Sequence, residues 1–212
     1  MEASIVLSII TAVAAIVALF ISVFQIINSN RQKLFERRLN AYLKIKWMKL
    51  LCDQNKELLD KYVKMATENN MPLLGLEELF YHMTNTAYLE SMQPAIYHIA
   101  DYEWQRKYLL KVDEIRSLSE EVRLIFPGSI GYDLSDFVFY YGEMIVLIYR
   151  YQSMMQKGMN AKDVINKSIP VDELEEMRAR MELLKYLEGT FELADRLFKE
   201  GTLNKAQSKI KL

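Results

Sequence analysis

Glu143 stands inside Phe137-Val-Phe-Tyr-Tyr-Gly-Glu143-Met-Ile-Val-Leu-Ile-Tyr149, a run with no other ionisable group except its tyrosines. A carboxylate among apolar neighbours must find donors or keep its proton, because desolvation disfavours the charged form. Two roles fit such a residue. It is a buried acid or ion ligand, or it is the structural partner of a Tyr, Trp or Arg on a neighbouring helix. Thirteen tyrosines make donors plentiful and favour the structural role.

The two histidines are the next candidates. Glu78 precedes His82 by four residues, and Asp101 follows His98 by three, so each pair shares a helix face. Two such pairs on facing helices have the residue types for a metal. A di-metal bundle, however, repeats Glu-x-x-His and adds further glutamates. That repeat and His-Glu-x-x-His are both missing from the chain. The nucleophile elbow and the phosphate-binding Gly-rich loop are missing too. Gly128-Ser129-Ile130-Gly131 is a Gly-containing turn of the kind that connects helices. Cys52, the single cysteine, has no histidine beside it and suits a small apolar packing role. The expectation is therefore no catalytic residue, no metal and no cofactor.

The elements that carry these residues are legible from charge and periodicity. No ionisable side chain occurs between Glu2 and Arg31, and Ile5 to Ile27 is almost wholly Ile, Val, Leu, Ala and Phe. About 20 such residues cross the hydrocarbon core of a bilayer. A cleaved signal peptide starts with basic residues and has a shorter apolar core, whereas this stretch begins Met1-Glu2. The reading is a retained membrane anchor over residues 1–30, with Ile5, Val13, Phe20 and Ile27 facing lipid. Ser8, Ser22 and Thr11 are cheap there, because their hydroxyls bond back to their own helix.

Orientation follows from the flank. Residues 31–50 hold seven basic side chains, among them Arg31, Lys33, Arg37 and Arg38, against Glu36 alone, a net of +6. Basic flanks stay cytoplasmic, which places the amino terminus outside and the rest of the chain in the cytosol of a single-pass cell-membrane protein. The same residues sit where anionic lipid head groups would meet them. Small residues recur at four-residue spacing, Ser8 and Ala12 on one line and Ala14, Ala18 and Ser22 on another. This spacing lets two spans approach closely and so suits self-association.

Residues 51–212 carry a net of −6 and read as helix nearly throughout. The expected class is all-α, a bundle of about five helices over residues 31–200, then a frayed basic tail over 201–212. Helices are expected over about 31–67, 76–91, 94–115, 117–126, 133–157 and 170–201. The apolar stripe of the first is Leu39, Leu43, Trp47, Leu50, Leu58 and Tyr62, widened by Phe35, Tyr42 and Leu51. The last has Leu174, Met177, Met181, Leu184, Leu187, Phe191, Ala194 and Phe198, with acids in its first turn and bases in its last, as the helix dipole favours. At 13 residues, segment 137–149 is too short for a second span and suits the centre of the bundle.

Near-neutral overall charge and the lack of any basic-aromatic platform argue against nucleic acid. The functional expectation is a membrane-anchored interaction or scaffold module. Its partners would be membrane lipid, a cytosolic protein or a second copy of the chain. The alternative is a stress or phage-defence effector that perturbs the membrane by oligomerising its span.

Overall fold

The computed structural model describes residues 2–68, 73, 75–165, 173–199 and 201–210, and it is all-α, with no strand among the described residues. Helix α1 is Glu2–Gln54, a rod of 53 residues that extends about 80 Å at 1.5 Å per residue. No Gly or Pro interrupts it, so nothing breaks its backbone hydrogen bonds. The expected anchor and the helix expected to follow it are thus one helix, where the charge pattern suggests a boundary near residue 30. Its described apolar residues from Val13 to Ile27 are exposed, Phe20 at 69%. One helix, α1, is long and apolar enough to cross a membrane.

A one-residue step at Asn55 separates α1 from α2 (Lys56–Glu68). There follow α3 (Leu76–Met83), a 3₁₀ helix (Glu90–Ile96), α4 (Tyr102–Ile125), α5 (Gly128–Ile165), α6 (Glu173–Lys199) and α7 (Thr202–Ser208). Helix α5 is the central element, lying between α4 and α6. Phe137, Val138, Tyr141, Met144, Ile145 and Ile148 on it are fully buried, as an all-round apolar helix requires. Segment 137–149 is therefore core.

Several helix boundaries differ from the sequence expectation, each for a local reason. Helix α3 stops at Met83, where Thr84 leaves the helical conformation, its N–H bonded to the Tyr81 carbonyl and its hydroxyl to the Phe80 carbonyl at 2.7 Å. Pro94 sits inside the 3₁₀ helix rather than starting a long one, and its carbonyl accepts from the N–H of both Tyr97 and His98. The true start of α4 is Asp101, whose carboxylate accepts from the N–H groups of Glu103 and Trp104 at 2.8 and 3.4 Å. The Ser117 to Glu120 capping-box pattern is interior to α4. Ser119 there bonds across to the Ser135 carbonyl of α5 at 3.0 Å instead. The carboxy-terminal segment is not frayed. Helix α7 buries Thr202 and Ala206, and Arg38 donates to the Lys209 carbonyl at 3.0 Å. Among the described residues, the unit after the apolar half of α1 contains six further α-helices and a 3₁₀ turn.

Gly142 explains how α4 and α5 approach so closely. A Cβ at this position would stand 2.8 Å from Cγ2 of Ile115, a β-branched side chain with little rotamer freedom in a helix. Helix propensity alone makes Gly142→Ala stabilising by about 1 kcal/mol. Overpacking costs about 1–3 kcal/mol. The variant is expected to be the less stable protein by about 1 kcal/mol in a denaturant titration. A rise in midpoint would show that Ile115 yields freely.

Candidate functional site

The expected apolar stripe splits: Tyr42, Leu51 and Tyr62 are buried, and its central line on α1 faces outward. Leu39, Leu43, Trp47 and Leu50 are exposed, Trp47 at 53%. The bundle packs on the opposite face of the same helix, through Ala41, Ile45, Met48 and Cys52, none above 2% exposed. Two apolar faces thus lie back to back on α1, and Tyr42 and Leu51 at the flanks of the inner one are buried as well. Beside the outer face, Leu203 of α7 closes a groove of ≈ 340 Å³ with Leu43, Lys46, Trp47, Lys49, Leu50 and Asp53. Its floor is apolar, and its rim carries the Lys49 to Asp53 ion pair. Cys52, on the buried side, is inert, because burial and then the nearby Asp53 charge hold its thiol protonated.

The basic exit of α1 divides by role. Arg31 and Lys33 are exposed. Arg37 pairs with Glu121 of α4 at 2.7 Å, and Arg38 donates through Nε to the Ile125 carbonyl at 2.7 Å as well as to Lys209. Lys44 lies over the ring of Tyr88 at 4.5 Å, and Lys111 stands 4.8 Å from the same ring. These side chains fasten the base of α1 to the bundle. In the span, Val13, Ala14, Ala18, Phe20, Ser22 and Ile27 are exposed, and Ser22 returns its hydroxyl to the Ala18 carbonyl at 2.9 Å. For Ile5, Ser8 and Ala12 only the helical backbone is described, so what was expected of their side chains lies outside the described residues.

Glu143 is partly buried and accepts from Arg116 of α4 through Nη2 at 3.0 Å and Nε at 3.3 Å. His82 is partly buried beside Tyr81. His98 is exposed and stacks on Trp104, with ring centroids 6.2 Å apart. No hydrogen bond or ion pair among the described residues joins Glu143 to either histidine. No cluster of three potential metal ligands occurs among them. Gly128 and Gly131 form the first turn of α5, and a Cβ on Gly131 would meet the Phe126 carbonyl at 2.6 Å. That turn is therefore packed against the chain before it.

The polar cluster that sequence reasoning missed lies where α5 and α6 meet the loop before α3. Tyr151 donates to Glu176 and accepts the Leu73 N–H at 3.0 Å. Arg180 approaches the same Glu176 oxygen at 3.7 Å, with side chains only 7% and 12% exposed. Nearby, Gln152 donates to Glu77 of α3. Burial, then the hydrogen bond to Glu176, pushes the Tyr151 phenol well above its ordinary value, so it is a permanent donor. The only sequence trace of this cluster was the four-residue spacing of Glu176 and Arg180, which on an acidic helix start reads as a surface pair. Its members satisfy one another and tie three elements together. The outer face of α1, by contrast, is large, apolar and uncovered, which makes it the strongest candidate surface. No protein-family model matches the chain, and comparison with curated proteins and with solved structures found no match.

Proposed function

We propose that this chain is a single-span membrane protein whose cytosolic helical bundle is an interaction or scaffold module held at the inner membrane surface. The observation that carries the reading is α1 itself. An exposed apolar rod continues without a break into a packed bundle and brings an uncovered apolar face with it. Exposed apolar patches of this kind mark interaction surfaces on soluble domains. The amino terminus lies outside the cell membrane and the bundle inside, because the +6 flank follows the span. Unlike a flexible tether, the rod fixes the bundle's height and rotation relative to the lipid.

The test is fractionation of the native chain. It is expected to stay with membranes through alkaline carbonate. The double substitution Val17→Arg with Phe20→Arg is expected to release most of it, since each central charge costs about 2.5–3.5 kcal/mol of insertion. Protease added to the outside of intact cells should leave the bundle uncut. Release of the unaltered chain by carbonate would end the anchor reading, and external cleavage within residues 51–210 would reverse the topology.

A further inference from the structure

On a helix with about 3.6 residues per turn, Leu39, Leu43, Trp47 and Leu50 project within about 40° of one line. Traced back into the span, that line passes Ala14 and Ala18, within the same angle. The exposed cytosolic stripe and the small residues of the span are therefore one face of one helix. Every Lys and Arg of residues 31–50 lies off it, by about 60° or more. Arg37 and Arg38 are turned away to the bundle. A segment of charge +6 would repel its own copy, yet the centre line of this face carries no Lys or Arg; Lys46 and Lys49 stand at the rim of the groove beside it, Lys49 paired with Asp53. The one charge on it, Glu36, receives a hydrogen bond from Gln32 at 3.3 Å.

We propose that this face pairs two copies of the chain in parallel, α1 against α1, from Ala14 to Leu50. The proposal rests on the membrane reading, because a shared bilayer sets the two rods parallel and at one height, so equivalent residues meet. Trp47 itself walls the groove, together with Leu43, Leu50 and Leu203, so the bulkiest residue of the stripe and the hollow beside it belong to one surface. A two-fold axis along the membrane normal sets this surface of each copy against the same surface of the other, as a self-complementary interface demands. In the bilayer, Ala14 and Ala18 let the backbones approach, and Gln25, on the same line, meets its counterpart where amide pairing holds helices together. Lipid does not cover the stripe. Trp47 stands about 25 Å along the rod from Asn30, beyond the headgroup layer, and a tilt of about 20° changes that little.

The experiment uses the full chain in native membranes, in a Cys52→Ala background. Single cysteines are placed on the face (Leu43→Cys) and off it (Lys33→Cys), then oxidised. Leu43→Cys is expected to give at least about tenfold more disulfide-linked homodimer than Lys33→Cys. Adding Trp47→Glu should remove that excess while helical circular dichroism is unchanged. Equal yields at both positions overturn the pairing, as does an adduct to a different protein. Quenching of Trp47 fluorescence by brominated lipid, in a Trp104→Phe background, overturns it in favour of the membrane surface. Carbonate extraction of the same sample separates the two levels. A chain that stays in the membrane without face-specific cross-links defeats only the pairing, whereas a chain that is extracted defeats the membrane reading as well.

Discussion

Arg180→Met is expected to lower the unfolding free energy by about 3–5 kcal/mol, the usual cost of removing one partner from a buried ion pair. The guanidinium and the Glu176 carboxylate are both nearly shut off from solvent. Without Arg180, the carboxylate keeps the Tyr151 hydroxyl as a donor but loses its counter-charge in a low-dielectric site. The damage then spreads along the chain of bonds, because Tyr151 also holds the Leu73 N–H at the entrance to α3. Chemical denaturation of the detergent-solubilised protein measures the loss. The double variant Arg180→Met with Glu176→Leu separates pairing from packing. Removing both charges avoids an orphaned one, so the double variant should be more stable than Arg180→Met alone. If the two variants are equally stable, or the single loss is under about 1 kcal/mol, the pair behaves as an exposed one.

The all-helical class and the apolar rod were legible because both rest on composition along the chain: a span without charge, a basic step, and few Gly or Pro. Sidedness was not. Periodicity on α1 detects any apolar line at 3.6-residue spacing, and two such lines run along residues 39–52. The outer line has Leu39, Leu43, Trp47 and Leu50, while the packed side uses Ala41, Tyr42, Ile45, Met48, Leu51 and Cys52. Which of the two packs against α3, α4 and α7 is decided by tertiary contacts that have no local signature. The same ambiguity affects α6. Leu174, Met177 and Met181 of the expected stripe are exposed, whereas Leu187 and Ala194 are buried as expected. The Phe198 side chain lies outside the described residues. Between them the face rotates, so that Glu176 and Arg180 turn inward. Helix ends failed for a different reason. Ser119 finds its partner on another helix, an α5 carbonyl, which no local pattern announces.

Alkaline pH is expected to unfold the bundle steeply above about pH 10, where unfolded tyrosines ionise. The sign follows from which protonation state the fold prefers. Burial, with Glu78 and Glu77 adding to it, pushes the Tyr62 phenol up to about 12. Burial holds Tyr108, Tyr141, Tyr151 and the Cys52 thiol higher still. In each case the folded state retains the proton longer than the unfolded chain does. The stabilisation is therefore complete below the unfolded values and lost as pH rises toward the folded ones. Within that window each group removes about 1.4 kcal/mol per pH unit. Five such groups acting together exhaust a net stability of about 5–15 kcal/mol within one to two units. Ionisation also removes bonds, because Tyr62, Tyr141 and Tyr151 donate to the Gly75 carbonyl, the Met83 carbonyl and Glu176. Phenolate absorbance and helical circular dichroism recorded in one titration decide the matter. The buried fraction of the phenolate signal should appear together with the loss of helix, in a single cooperative step. Complete tyrosine ionisation with the helical signal intact would mean that these side chains reach solvent without unfolding. Tyr108→Phe sharpens the comparison, since its hydroxyl has no partner in the fold. That variant should shift the alkaline midpoint upward while costing little at neutral pH, whereas Tyr141→Phe leaves the Met83 carbonyl unbonded and should weaken the fold at every pH.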